Sequence, residues 1–197
     1  MIGIDAPREV LTGGRVQAFL AAARVQWLVT YYGDRVLARV LGVLPPALAA
    51  DVSLADISGW CRFESVVALD AAIIEVCGGS GREMLRDLGR YAAHATAART
   101  AGPNALHRFF HSAALRDALF QESARASYEV LGATHGYLCV ISSPCYSAAW
   151  CESVAGYLEQ VIAIHEAANG EVTIRACRAN GDDCCAFELR WDETFSD

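Results

Sequence analysis

The stretch RACRANGDDCCAFELRWD, Arg175 to Asp192, places Cys177, Cys184 and Cys185 around a turn of Asn, Gly and Asp, and Cys151 opens the segment CESVAGYLEQVIAI upstream. Thiolates are zinc ligands, and a closed structural zinc site takes four donors from thiolate, imidazole and carboxylate. No Cys-x-x-Cys pair occurs, so generic zinc-finger spacing is absent. The competing reading is that these cysteines are reduced thiols acting as small apolar side chains. His107 and His111, in ALHRFFHSA, stand four apart on one face of a helix, where they can contact a ligand or a metal. Without the Glu of H-E-x-x-H they do not make a metalloprotease.

Strand alternation leaves the cysteine set open. If Phe187, Leu189 and Trp191 face the core, Cys185 does too, while Cys184 joins Glu188 and Arg190 on the outer face. In the preceding strand Val172, Ile174 and Ala176 would point inward and Cys177 outward. A regular hairpin therefore sets Cys177 beside Cys184. A bulged or twisted turn could instead gather Cys151, Cys177 and Cys185, because the six residues Arg178 to Asp183 are too many for a tight turn.

Other candidates have plainer readings. Cys145, in SSPCYS, precedes a helix, where a thiol pKa can fall, but nothing in the sequence ties His135 or His165 to it as a base. GGSGRE, Gly78 to Glu83, could cradle an anion, yet it follows a helix and lacks the Lys of a P-loop. Asp182, Asp183 and Glu188 lack the alternating oxygen ligands of a calcium loop.

Apolar residues recur at helical spacing through GRVQAFLAAARVQWLVTYY, broken at Gly33. They recur again through a short segment after Asp34, then FESVVALDAAIIEVC, GREMLRDLGRYAAHATAART and ALHRFFHSAALRDALF. VLPPALAADVSLADISGW reads as a connector, extended before Pro46. Up to residue 122 the chain reads as helical. ARASYEVLGATHGYLCVISS then reads as two strands, near 125–133 and 137–143, with His135-Gly136 between them. SAAWCESVAGYLEQVIAIHEAA returns to helix, ended by Asn169-Gly170, and EVTIRAC and CCAFELRW are two more strands. The expectation is an α+β domain in which N-terminal helices pack on a C-terminal antiparallel sheet of about four strands, β-β-α-β-β. Residues 1–14 are expected to form a flexible leader and 15–192 a single domain.

At 197 residues and 54% hydrophobic, the chain can bury one sizeable core. A net charge of −7 gives no basic field for a phosphate backbone, so no nucleic-acid partner is expected. All sixteen basic residues are Arg, the bias of a GC-rich bacterial genome, which removes lysine Schiff-base chemistry. The N-terminus has no signal-peptide pattern, and apolar runs stop well short of the roughly 20 residues a membrane span requires. A cytoplasmic protein without a membrane span is expected, and its eight cysteines then point to thiols or metal ligation, not disulfides.

CESVAGYLEQVIAI followed by IRACRANGDDCCAF, with Cys151 at a helix start before Gly156-Tyr157, then Cys177 and Cys185 seven residues later, resembles the zinc-bearing end of the 4-vinyl reductase domain family. That family includes sensor domains of bacterial aromatic-compound regulators. The resemblance covers about residues 125–191 and implies that Cys151, Cys177 and Cys185 are zinc ligands. The family's fourth ligand is a carboxylate three residues before the second cysteine, where this chain has Ile174. Cys184, Cys145, His165 and Glu171 are the substitutes in reach along the sequence. The same fold group includes haem-based nitric oxide sensors, marked by an axial His and a Tyr-x-Ser-x-Arg motif. ARASYEV has those residue types in the wrong order, so haem is set aside.

The reading that results is a non-catalytic small-molecule-binding or sensing domain with an apolar pocket and a C-terminal zinc site. Its ligand would be a small hydrophobic molecule, oriented by His107, His111 or Tyr137. Since no output segment is attached, signalling is expected through a partner protein or a homodimer. The alternatives are a reductase or accessory subunit in tetrapyrrole metabolism, which would need an electron donor, and a scaffold or interaction protein of the same fold.

Overall fold

A computed structural model describes residues 10–53, 58–96, 104–116, 120–165 and 167–192. A three-residue strand, β1 (Arg15–Gln17), leads into α1 (Phe19–Tyr32), α2 (Asp34–Val43) and α3 (Pro46–Ser53). β2 (Trp60–Arg62) pairs antiparallel with β1 and precedes α4 (Phe63–Cys77), α5 (Gly81–Thr96) and α6 (Ala105–Arg116). The second half is β3 (Arg125–Gly132), β4 (His135–Ser142), α7 (Ala148–Ile164), β5 (Ala168–Ala176) and β6 (Cys185–Asp192). The last four strands form one antiparallel sheet in the order β3-β4-β6-β5.

The expected α+β class and the β-β-α-β-β order are what the structure shows. Three local expectations are corrected. The N-terminal region is not wholly helical, because Arg15–Gln17 and Trp60–Arg62 pair with each other. The connector holds α3, which starts at Pro46; proline suits a first helical turn, where its missing N–H has no partner to lose. The β3–β4 turn falls at Ala133-Thr134, since Gly132 already pairs with His135. Residues 1–9 of the expected leader lie outside the described residues. Its end is pinned, with Leu11 and Tyr146 exchanging N–H···O bonds of 3.1 and 3.0 Å.

Two apolar clusters make up the interior. One joins the inner sheet face (Leu138, Val140, Phe187, Leu189) to α7, α6 and the start of α1; the other lies among α1, α2, α4 and α5 around Leu28, Leu69, Ile73 and Leu88. Helix α7 links them. Its start is fixed by Ser147, whose hydroxyl accepts from the Trp150 N–H at 3.0 Å, satisfying one of the donors a helix leaves open. α7 then crosses α5 at backbone contact: a Cβ on Gly89 would collide with the Ser153 carbonyl, and one on Gly156 with that of Arg86. This close crossing sets where Cys151, one turn earlier, presents its sulfur.

Candidate metal centre

Cys151 lies in the first turn of α7, Cys177 directly after β5, and Cys185 at the start of β6. Their sulfurs lie within 4.8 Å of one another, and Cys151 Sγ and Cys177 Sγ are 3.5 Å apart. All three are buried. Tetrahedral zinc with bonds of ~2.3 Å holds its sulfurs about 3.8 Å apart, so this donor set matches a zinc–thiolate centre in element, spacing and seclusion.

The regular alternation that would have separated Cys177 from Cys185 is broken by a bulge. Ile174 faces Phe187, but Ala176, not Arg175, faces Ala186. One extra residue on β5 reverses the side on which the next residue projects, and Cys177 turns to the inner face with Cys185. Cys184 stays on the outer face beside Cys139. Burial first, and then the Cys184 thiol, push the Cys139 thiol up to about 12. Cys184 is therefore not brought to the cluster.

The loop closes around the sulfurs. Asp182 accepts from the Cys177 N–H at 2.7 Å, the Cys177 carbonyl accepts from Asn180 N–H at 2.8 Å, and Gly181 adopts the left-handed conformation (φ 93°) that the reversal requires. The Arg178 N–H points at Cys185 Sγ from 3.5 Å. Arg178 itself stacks over Tyr146 at 4.5 Å and donates to the Ser143 carbonyl at 2.9 Å, tying the loop to the segment before α7.

Three thiols this close cannot all ionise without a cation. Hydrogen bonds from Cys151 and then Cys185, helped by the backbone N–H groups of Ala179 and Asn180, hold Cys177 down to about 3. The same contacts push Cys151 far above the ordinary thiol range, the bond to Cys177 first. Cys185 is pulled down by Cys151, but its contact with Cys177 and its burial leave it raised, at about 11. Thiols in mutual contact hold their protons between them, and a divalent cation that replaces those protons satisfies all three sulfurs at once.

The other candidate residues do not join this site. Among the described residues the cluster holds only Cys151, Cys177 and Cys185. Cys145 is buried beside Gly14, Glu171 is exposed, and His165 Nδ1 meets the Val161 carbonyl at 2.8 Å. His107, His111 and Tyr137 do not converge either. His107 is buried between Nδ1···Tyr128 Oη (2.7 Å) and Nε2···Ala133 O (2.9 Å), His111 is exposed on α6, and Tyr137 lies on the outer sheet face.

Two further polar centres lie apart from the cluster. Arg24 of α1 is fully buried and binds Asp70 of α4 twice, Nε to Oδ1 at 2.5 Å and Nη2 to Oδ2 at 3.1 Å. It also binds Ser153 Oγ of α7 at 3.0 Å and the Leu20 carbonyl at 3.0 Å. Burial pushes the Asp70 carboxyl above its ordinary value, against the pull of the Arg24 guanidinium. On the outer sheet face Glu188 gathers Arg190, Arg175 and His135; Arg190 first and Arg175 second hold it down to about 2. Only the charge alternation of β6 hinted at the second centre.

No family model and no curated protein matches the chain. Solved structures do. A mutant H-NOX protein from K. algicida, in the Fe(II) unliganded state, superposes with a TM-score of 0.67 at 10% identity, covering 91% of this chain and 98% of that one. An H-NOX protein from S. oneidensis, in its Fe(II)NO state, gives 0.67 at 12% identity, covering 90% and 99%. A structure from work on haem distortion in the H-NOX family gives 0.60 at 15% identity, covering 92% and 97%. These likenesses show that this chain has the fold of H-NOX proteins. Setting haem aside because the Tyr-x-Ser-x-Arg motif was missing is therefore corrected: proteins of this fold are studied as haem proteins, and the fold itself is no ground against the group. Among the described residues His107 is the buried histidine, on α6 against Tyr128 and Trp191 (ring centroids 5.9 and 5.0 Å). Its ring is of the type haem iron takes, but both nitrogens are engaged, so ligation would require giving up either the Tyr128 hydroxyl or the Ala133 carbonyl.

Proposed function

We propose that this chain is a non-catalytic small-molecule-sensing domain of the 4-vinyl reductase type, in which zinc held by Cys151, Cys177 and Cys185 clasps the β5–β6 hairpin to α7. The observation that carries the reading is the convergence of three buried sulfurs from three separate elements. Zinc would supply a redox-inert cross-link there, and its binding free energy would add to the stability of the hairpin against the helix.

A cleft of about 410 Å³ between α1 and α5 suits a small apolar ligand. It is lined by Phe19, Ala22 and Ala23 on one wall and Tyr91 and Ala95 on the other, with Gln26 and His94 as polar groups. Ligand wedged there would press on α5, which crosses α7 at the two glycines, so the cleft and the clasp share one rigid element. A partner protein or a second copy of the chain would read the resulting shift in packing.

Elemental analysis and native mass spectrometry of the purified protein test the zinc. One zinc per chain is expected, lost from Cys177→Ser; a chain purified from zinc-replete cells without metal would overturn the clasp. The fold likeness and the buried His107 favour haem-based sensing as a second reading. Haem titration of the protein distinguishes it: a Soret band present in the wild type and shifted or absent in His107→Ala would establish that reading.

A further inference from the structure

Among the described residues the proposed metal site has three protein donors, and its surroundings point to where a fourth would come from. A cleft of about 560 Å³ between α5, α7 and β5 reaches the cluster; Cys151 and Cys177 form part of its wall, with Ile174, Ala149 and Leu85 around them. The polar groups that share this cleft are committed elsewhere or are poor donors for zinc. Both Glu152 oxygens are held, Oε1 by Arg82 at 3.1 Å and Oε2 by Arg86 at 2.9 Å. Asn180 offers an amide, outside the thiolate, imidazole and carboxylate set that zinc ordinarily uses. Asp182, in the same loop, is turned to the Cys177 N–H. Cys184, the thiol adjacent in sequence, is on the other face of the sheet beside Cys139.

A site closed by four protein ligands is structural, whereas three ligands and an open position is the arrangement in which zinc accepts an outside molecule. Resting on the zinc reading above, we propose that the position facing this cleft is filled by an exogenous small-molecule thiol, so that the hairpin clasp is also a ligand-binding site. Sulfur is the donor that matches an all-thiolate centre in softness. The walls Ile74, Leu85, Ala149 and Ile174 favour a ligand with a short apolar body, and the cleft is open enough to admit one. On binding, the thiol's S–H bond breaks, its proton passes to solvent and its sulfur donates an electron pair to the metal. No electron is transferred between redox states.

Cobalt(II) in place of zinc makes the site visible. Full-length protein loaded with cobalt should show thiolate-to-metal charge-transfer absorption; its absence, with no zinc retained either, would mean that the zinc reading itself has failed. Given that absorption, titration with 2-mercaptoethanol should change the cobalt ligand-field bands saturably, in a 1:1 ratio. Ile174→Glu places a carboxylate on the cleft wall beside the cluster, and there the bands should become insensitive to added thiol while the charge-transfer absorption stays. Ala149→Leu narrows the cleft without touching a donor and should weaken thiol binding at least fivefold with metal content unchanged, which covers the case in which the Glu variant does not fold. Bands in the wild-type cobalt protein that do not respond to thiol would overturn the proposal and leave a closed site.

Discussion

The Arg24–Asp70 pair and the thiol triad both bury ionisable groups at the flank of α7, and they answer the cost in opposite ways. At Arg24 the charges are matched within the chain: two bonds to Asp70, one to Ser153 and one to Leu20 account for a guanidinium with no exposure. At the triad three acids face one another with no cationic side chain among them, and only backbone N–H groups and shared protons hold the charge. The first centre is complete as folded. The second has no such counter-charge among the described residues, which is the ground on which a metal is proposed for it and none for the first.

The largest effect that would sharpen this contrast is Arg24→Met. It leaves Asp70 and Ser153 buried without their partner and should cost about 3–5 kcal/mol in chemical denaturation, while replacing Arg24 and Asp70 together by apolar residues should recover most of the loss. The effect should be the same with and without zinc, because this centre closes on itself. Next in size is zinc removal. At a free zinc concentration about a hundred times its dissociation constant, the wild type should be about 2.7 kcal/mol more stable than the chelated protein. Cys151→Ser and Cys177→Ser should lose this chelator response, and Arg24→Met should keep it. A chelator response that survives in both serine variants would break the contrast.

Acid provides a smaller test on the outer face. The Glu188 carboxylate is lowered from an ordinary 4.5 to about 2, so the stability it contributes is present above about 4.5 and disappears as pH falls toward 2. Glu188→Gln should flatten the acid limb of a pH–stability curve slightly, and the difference should shrink in high salt because Arg175 and Arg190 are exposed. The smallest expected effect is that of Cys184→Ser. Zinc content and the chelator response should be unchanged, since this thiol lies with Cys139 on the face away from the cluster. Loss of zinc in this variant would return Cys184 to the ligand set.

Much of the fold was legible from periodicity. Each long amphipathic run became a helix, and the β-branched, aromatic segments after residue 122 became the sheet, because both patterns express one buried face. The short pieces were not legible. Three-residue strands such as Arg15–Gln17 and Trp60–Arg62 are too brief to carry a period, and α3 was hidden behind a proline that starts a helix as readily as it ends one. Arg24 sits in a run whose apolar spacing is unaffected by it, and nothing local says that Asp70, 46 residues on, will meet it.

The sequence by itself determined the chemistry available near the C-terminus: soft thiol donors at 151, 177, 184 and 185, a loop too long for a tight turn, and an apolar residue at 174. It could not choose between Cys184 and Cys185 as the neighbour of Cys177, because alternation along a strand predicts a face only while pairing stays regular. That choice was made by one extra residue at the β5 bulge, together with a glycine-to-backbone crossing of α5 and α7 that sets the height of Cys151. Both depend on contacts between segments distant in the chain, which only tertiary packing decides.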